Sequence, residues 1–119
     1  MQDTEAIVNS YIAMWNETDP ARRQELVAQT LTEDASYLDP VMEGHGIEGI
    51  TAMIGGAQQQ FPGHSLTLIA GPDKHHDRVR FTWSLAANGG DPVATGVDFV
   101  TVAQDGRMRS VTGFLEAAA

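Results

Sequence analysis
A chain of 119 residues, 42% hydrophobic and 19% charged, is long enough for one hydrophobic core and too short for two. Sixteen acidic against seven basic residues give a net charge of −9, which favours solubility and excludes the basic footprint that nucleic acid or an anionic membrane surface requires. With no cysteine there is no disulfide, thiolate metal site or cysteine nucleophile, and no apolar run approaches the ~20 residues of a membrane span. Met1-Gln2-Asp3-Thr4-Glu5 has neither the basic stretch nor the apolar run of a secretory leader, so the expected location is the cytoplasm.

Ile7, Val8, Tyr11, Ile12, Met14 and Trp15 recur at helical spacing and predict a helix over 4–16 with one broad buried side, capped by Asp3 or Thr4. Asp19-Pro20 predicts a second helix, with Asp as N-cap and Pro at the first helical position; it runs to Thr30 and buries Leu26, Val27 and Leu31. Thr32-Glu33-Asp34 reads as a short turn into a strand beginning at Ser36. Asp39-Pro40 ends that strand, because the residue before proline is held extended. Gly44 and Gly46 flank His45 in a predicted loop. A third helix follows over 47–60, with Ile47, Ile50, Ile54, Ala57 and Phe61 on one side. Gly55 and Gly56 inside it each cost ~1 kcal/mol relative to alanine, which points to close packing, a ligand's approach or a kink.

The second half reads as strands over 65–70, 78–85, 92–102 and 108–115. Gly-Pro-Asp, Asn-Gly-Gly-Asp and Asp-Gly separate them, as in successive antiparallel hairpins. Val79, Phe81, Trp83 and Leu85 alternate with Arg78, Arg80, Thr82 and Ser84. Three helices followed by a mainly antiparallel sheet is an α+β plan with the helices on one sheet face. No repeat, linker or low-complexity stretch divides residues 1–119, and Ala117-Ala118-Ala119 is expected to fray.

Two carboxylates stand out against this pattern. Asp39 and Asp98 lie in segments that otherwise read as half-buried strands, Ser36-Tyr37-Leu38-Asp39-Pro40 and Thr95-Gly96-Val97-Asp98-Phe99-Val100. A carboxylate among apolar side chains must be paired, hydrogen-bonded or protonated. Two of them in one cavity have their pKa values pushed apart, which is the starting condition for acid/base chemistry near neutral pH. Alternation puts Tyr37 with Asp39, and Gly96 with Asp98 and Val100, on one face of each strand. Each residue also has a structural reading: Asp39 as a turn cap before proline, Asp98 as a hydrogen-bond partner of a helix or of His45, and Tyr11, Trp15, Trp83 and Phe61 as core.

The order of these segments resembles the SnoaL-like (polyketide-cyclase-like) branch of the nuclear transport factor 2-like superfamily. The resemblance covers nearly the whole chain. It rests on Tyr11-Ile12-Ala13-Met14-Trp15-Asn16, on Thr32 to Pro40, on Glu43-Gly44-His45-Gly46-Ile47-Glu48-Gly49-Ile50, and on Gly96-Val97-Asp98-Phe99 followed by Asp105-Gly106-Arg107-Met108. It implies a cone-shaped α+β barrel, three N-terminal helices packed in a curved, mainly antiparallel sheet around a pocket, and a homodimer paired through the outer sheet face. The chain is also similar to ketosteroid isomerases. Asp39-Pro40-Val41 matches their general-base segment, Asp98 their oxyanion-hole aspartate, and Tyr11-Ile12 their oxyanion-hole tyrosine. It departs from them where Ile54 stands for a supporting tyrosine and Leu115 for a late aromatic. The fold hosts isomerases, cyclases, hydrolases, dehydratases and non-catalytic proteins, so the fold alone does not name an activity.

The expected function is a pocket for a small apolar carbonyl compound or polycyclic metabolite, with proton transfer of the isomerase or cyclase type and no cofactor. Asp39 is the expected base, and Asp98 and Tyr11 the expected donors to an oxyanion. Tyr37, His45, Ile54, Phe61, Trp83 and Trp15 are the expected ligand-contacting residues. The alternative is a ligand-binding or dimerisation module without catalysis. His45, His64, His75 and His76 do not have metal-ligand spacing, and His75-His76-Asp77 reads as a solvated turn. Thr82 stands where the Arg-x-Asp strand of an epoxide hydrolase needs a carboxylate after Arg80. No phosphate-binding glycine loop or Gly-x-Ser-x-Gly elbow is present.

Overall fold
The computed structural model describes residues 3–116. In chain order the elements are α1 (Thr4–Asn16), α2 (Pro20–Thr30), β1 (Leu31–Leu38), β2 (Glu43–His45), α3 (Gly46–Gln60), β3 (His64–His75), β4 (Arg78–Ala87), β5 (Pro92–Val102) and β6 (Met108–Glu116). The first two helices start where their capping residues predict. Asp3 accepts from the Glu5 amide at 2.9 Å, and Asp19 from the Arg22 amide at 2.9 Å with Pro20 in the first turn. The expected fraying at Ala117–Ala119 lies outside the described residues.

The strands form one sheet in the order β2-β1-β6-β5-β4-β3, in which β1 and β6 run parallel and the other neighbours antiparallel. Register shifts in four of the strand pairs bend it. The three helices pack on its concave face. Ile7, Val8, Tyr11 and Met14 of α1, Val27 of α2 and Ile50 and Ile54 of α3 meet Val79 and Phe81 of β4, Val100 of β5 and Val111 of β6 in one core. No helix among the described residues is long and apolar enough to cross a membrane.

Three local expectations are corrected. Thr32–Asp34 is strand, not turn: α2 passes directly into β1 because buried Leu31 pairs with Met108 of β6, and the Thr32 hydroxyl donates to Asp34 at 2.8 Å. Residues 43–45 are a short strand rather than a loop, paired with residues 36–38. Gly71-Pro72-Asp73 does not end β3, since a register shift between Ala70 and Asp73 absorbs the extra residues and pairing with β4 continues to His75.

Of the two helical glycines, Gly55 has a packing cause. A Cβ there would lie 3.0 Å from Nη1 of Arg23, a residue only 6% exposed. Arg23 donates to the Glu17 carbonyl at 3.0 Å, the Thr18 carbonyl at 3.2 Å and Gln58 Oε1 at 2.7 Å. The Gln58 amide in turn donates to the carbonyls of Trp15 and Glu17. The C-terminal end of α1 is thus closed by an arginine of α2 and a glutamine of α3, a cation favourably placed at a helix C-terminus. Nothing in the structure explains Gly56. Arg23→Ala, which takes the arginine donor from the Thr18 carbonyl and Gln58 Oε1 and leaves the Glu17 carbonyl with Gln58 alone, is expected to cost about 2 kcal/mol, read as a lower urea midpoint with an unchanged slope.

Candidate functional site
Between α1, the end of α3 and the concave face of the sheet lies a cavity of about 280 Å³. Its wall is mostly apolar, with Trp15, Phe61, Leu66, Trp83, Leu85 and Leu115 among its members. Two carboxylates, Asp98 and Asp39, also face it, each bonded to a tyrosine that lines the same space.

Asp98 is 1% exposed and enters from β5, paired between Phe81 of β4 and Gly113 of β6. Its Oδ2 accepts from the Tyr11 hydroxyl at 2.7 Å and its Oδ1 from the Trp83 indole N–H at 3.1 Å. Burial pushes its pKa up to about 6. The bonds from Tyr11 and Trp83 oppose that rise, and the neighbouring charge of Asp39 adds to it. Burial, followed by the Asp98 charge, likewise holds the Tyr11 phenol well above its ordinary range.

Asp39 follows β1 and is 9% exposed. Its Oδ1 accepts from the Val41 and Met42 amides at 2.8 and 2.9 Å, while its own amide donates to the Met42 carbonyl at 3.0 Å. The turn-capping reading and the cavity position therefore coexist: Oδ1 closes the turn through Pro40, and Oδ2 accepts from the Tyr37 hydroxyl at 2.6 Å. A carboxylate offers about four lone-pair positions, so one on Oδ2 stays open. Burial and the nearby Asp98 charge raise the Tyr37 phenol above its ordinary range. Both carboxylates can share this floor because β6 passes beneath them without a side chain. A Cβ on Gly113 would stand 2.9 Å from Asp98 Oδ1 and 3.2 Å from Asp39 Cβ.

The structure brings Tyr11, Trp15, Tyr37, Asp39, Phe61, Trp83 and Asp98 around this one cavity, and leaves two expected residues outside it. His45 stands at the start of α3 with its side chain 75% exposed, 3.8 Å from Glu43, because β1–β2 pairing carries it to the surface. Ile54 is wholly buried in the helix–sheet core. The histidine in the cavity wall is His64, beside Phe61. Leu85 and Ala94, cross-strand partners in the wall, were legible for Leu85 in the inward alternation of β4. Asn16, Gln58 and Gln60 carry no sequence signal for a place at the cavity.

The fold and this cavity define a cone-shaped domain of the nuclear transport factor 2-like type. Residues 8–111 match the SnoaL-like domain family, and the chain belongs to it. A protein of Agrobacterium tumefaciens put forward as an isomerase of the SnoaL-like family is 44% identical, with a TM-score of 0.92 over 98% of this chain and 100% of that one. Proteins put forward as polyketide cyclases share the fold at 18% identity. The one from Sinorhizobium meliloti has a TM-score of 0.70 over 91% of this chain and 93% of its own, and the one from Jannaschia 0.69 over 98% and 92%. Among curated proteins none matches the sequence.

The raised pKa of Asp98 makes a signed prediction for stability. Between the ordinary aspartate value of ~3.9 and about 6, the folded chain holds this proton more tightly than the unfolded chain does. The contribution is complete below ~3.9 and is lost as pH rises through about 6. Asp98→Asn, with its amide oxygen accepting from Trp83 and its N–H facing Tyr11, carries no such penalty. It is expected to be more stable than the parent by roughly 2–3 kcal/mol at pH 8 and no more stable near pH 4, as measured by urea unfolding at both pH values.

Proposed function
We propose that this domain is an acid–base catalyst of the isomerase or cyclase type that moves a proton next to a carbonyl on a small apolar metabolite. The observation that carries this reading is the pair of Tyr–Asp dyads on the floor of one apolar cavity, Tyr11 with Asp98 and Tyr37 with Asp39. Their surroundings differ: three donors meet the Asp39 carboxylate, whereas burial pushes the Asp98 pKa up to about 6.

In this scheme Asp39 Oδ2 takes a proton from the carbon beside the carbonyl. Tyr11 and Asp98 form the proton-donating side that meets the oxygen as charge builds on it. An apolar ligand expels water, which raises the Asp98 pKa further and favours the protonated carboxyl in the bound state. Asp39 then returns its proton to another carbon, which completes an isomerisation; if the enolate carbon attacks a second carbonyl first, a ring closes, and the alkoxide formed from that carbonyl takes the proton from Asp39. The isomerase and cyclase names given to the Agrobacterium and Sinorhizobium proteins support the same reaction class.

Asp39→Asn is expected to lower turnover of apolar carbonyl compounds by at least ~100-fold while leaving their affinity nearly unchanged, measured by steady-state kinetics beside calorimetry. Unchanged turnover overturns the assignment. A parent protein that binds such compounds and converts none of them points to the ligand-binding module.

The same reading includes a homodimer paired through the outer sheet face. Phe99 and Phe114 meet edge to face there at 5.9 Å and are 47% and 55% exposed. Leu38, 53% exposed, lies on the other side of Thr112 from Phe99. Exposed aromatic pairs of this kind are what an apolar docking face offers a second copy. Light scattering is expected to give the mass of a dimer for the parent chain and of a monomer for Phe114→Glu; a monomeric parent contradicts it.

A further inference from the structure
Trp83 differs from the other aromatic residues of the cavity in two respects. Its indole N–H is spent on Asp98 Oδ1, at 3.1 Å. Its ring also lies against the neighbouring strand at the one place where that strand has no side chain. Trp83 is the cross-strand partner of Gly96, and a Cβ on Gly96 would fall 2.4 Å from Cζ2 and 2.7 Å from Cε2 of the indole. Distances that short are impossible for real atoms, so the ring occupies the volume that any other residue at 96 would fill. Gly96 and Asp98 are two residues apart on β5 and point inward together, so the strand that seats the ring also carries the carboxylate it touches.

We infer that Trp83 is the positioning residue of this site: seated on Gly96, its N–H holds Asp98 Oδ1 and leaves Oδ2, the oxygen bonded to Tyr11, as the working edge of the carboxyl. An indole nitrogen only donates, so Oδ1 is kept as an acceptor. A proton placed on Oδ1 would have no bonded acceptor, because the partner of Oδ1 is the Trp83 N–H and the space beside it is the missing Cβ position of Gly113, 2.9 Å away. A proton on Oδ2 instead meets the Tyr11 oxygen at 2.7 Å. The carboxyl proton therefore resides on Oδ2. Asp98 then donates to Tyr11, and Tyr11, with its own hydrogen freed, donates into the cavity. The two groups act in series, and Tyr11 is the one that touches the ligand oxygen.

The groups facing Asp98 are Tyr11 from α1, Trp83 from β4, and Tyr37 and Asp39 from the β1 side, while β6 presents Gly113. Of these, Trp83 is the donor that can be removed without removing a titrating group. The catalytic part of this inference rests on the acid–base reading above; the part about hydrogen bonding and proton location does not.

Trp83→Phe keeps a ring over Gly96 and deletes the N–H. The Asp98 carboxyl carbon, followed by NMR across pH, is expected to titrate about one unit higher in the variant, the size of one hydrogen bond to a charged group. In the parent protein the Trp83 indole N–H resonance is expected to shift with the same midpoint as Asp98. A variant midpoint within about 0.3 unit of the parent's, well under the one-unit effect of a lost bond, overturns the inference. So does an indole resonance that stays flat through the Asp98 transition, and this second readout decides the matter if the variant does not fold. Where turnover is found, the limb of the kcat/KM pH profile that belongs to Asp98 is expected to move with the NMR midpoint. A parent protein without turnover removes the acid–base reading and leaves the titration result standing. An unmoved midpoint removes the role of Trp83 and leaves the acid–base reading intact.

Discussion
A carboxylate with 1% of its surface exposed, inside a cone of apolar side chains, is the constraint around which this domain is organised. Left alone, an ionised Asp98 would be heavily penalised by desolvation. Two donors from opposite directions answer that penalty: a phenol from the first helix and an indole from the neighbouring strand. The compensation is partial, so the carboxyl titrates at about 6 and not in the ordinary aspartate range. A group held there can take up or release a proton at small cost near neutral pH, which is what a general acid or base requires. Helix position, strand register and cavity chemistry all meet at this one side chain.

The architecture follows from making room for it. The tyrosine must reach the strand from across the core, so α1 is anchored at its C-terminal end by Arg23 and Gln58. The indole must lie close against β5, and Gly96 leaves the space. The second carboxylate must approach from β1 over β6, and Gly113 leaves that space too. These glycines remove volume where side chains would otherwise separate the polar groups. The parallel contact of β1 with β6, in an otherwise antiparallel sheet, brings Tyr37 level with Val111 and so places Asp39 beside the floor that Asp98 occupies.

Much of this was legible in the amino-acid pattern. The caps at Asp3 and Asp19, the inward alternation of β4 and the out-of-place carboxylates at 39 and 98 follow from local rules, and the structure agrees with each. The misplacements share a cause: they depend on strand pairing and packing depth, which residue type alone does not announce. Thr32–Asp34 carries turn-forming residues, but β6 recruits the segment into the sheet. His45 between two glycines looked like part of a pocket rim, until pairing with β1 turned it outward. Ile54 lies on the correct helix but packs too deep in the core. The bond from Trp83 to Asp98 joins residues on adjacent strands, and no periodicity in either strand announces it. Gly96, which in a strand usually signals a bulge or a close approach, was its one visible trace.

The chemistry of this cavity depends on the protonation of one buried carboxyl group. Infrared difference spectra of the parent protein between pH 4 and pH 9, with Asp98→Asn as the reference, isolate the C=O stretch of that group from the other carboxylates. A protonated-carboxyl band that disappears with a midpoint near 6, and is missing from the variant, is the predicted result. A parent spectrum in which Asp98 has already ionised by pH 4 would show an ordinary carboxylate, and would contradict the buried donor network on which the site depends.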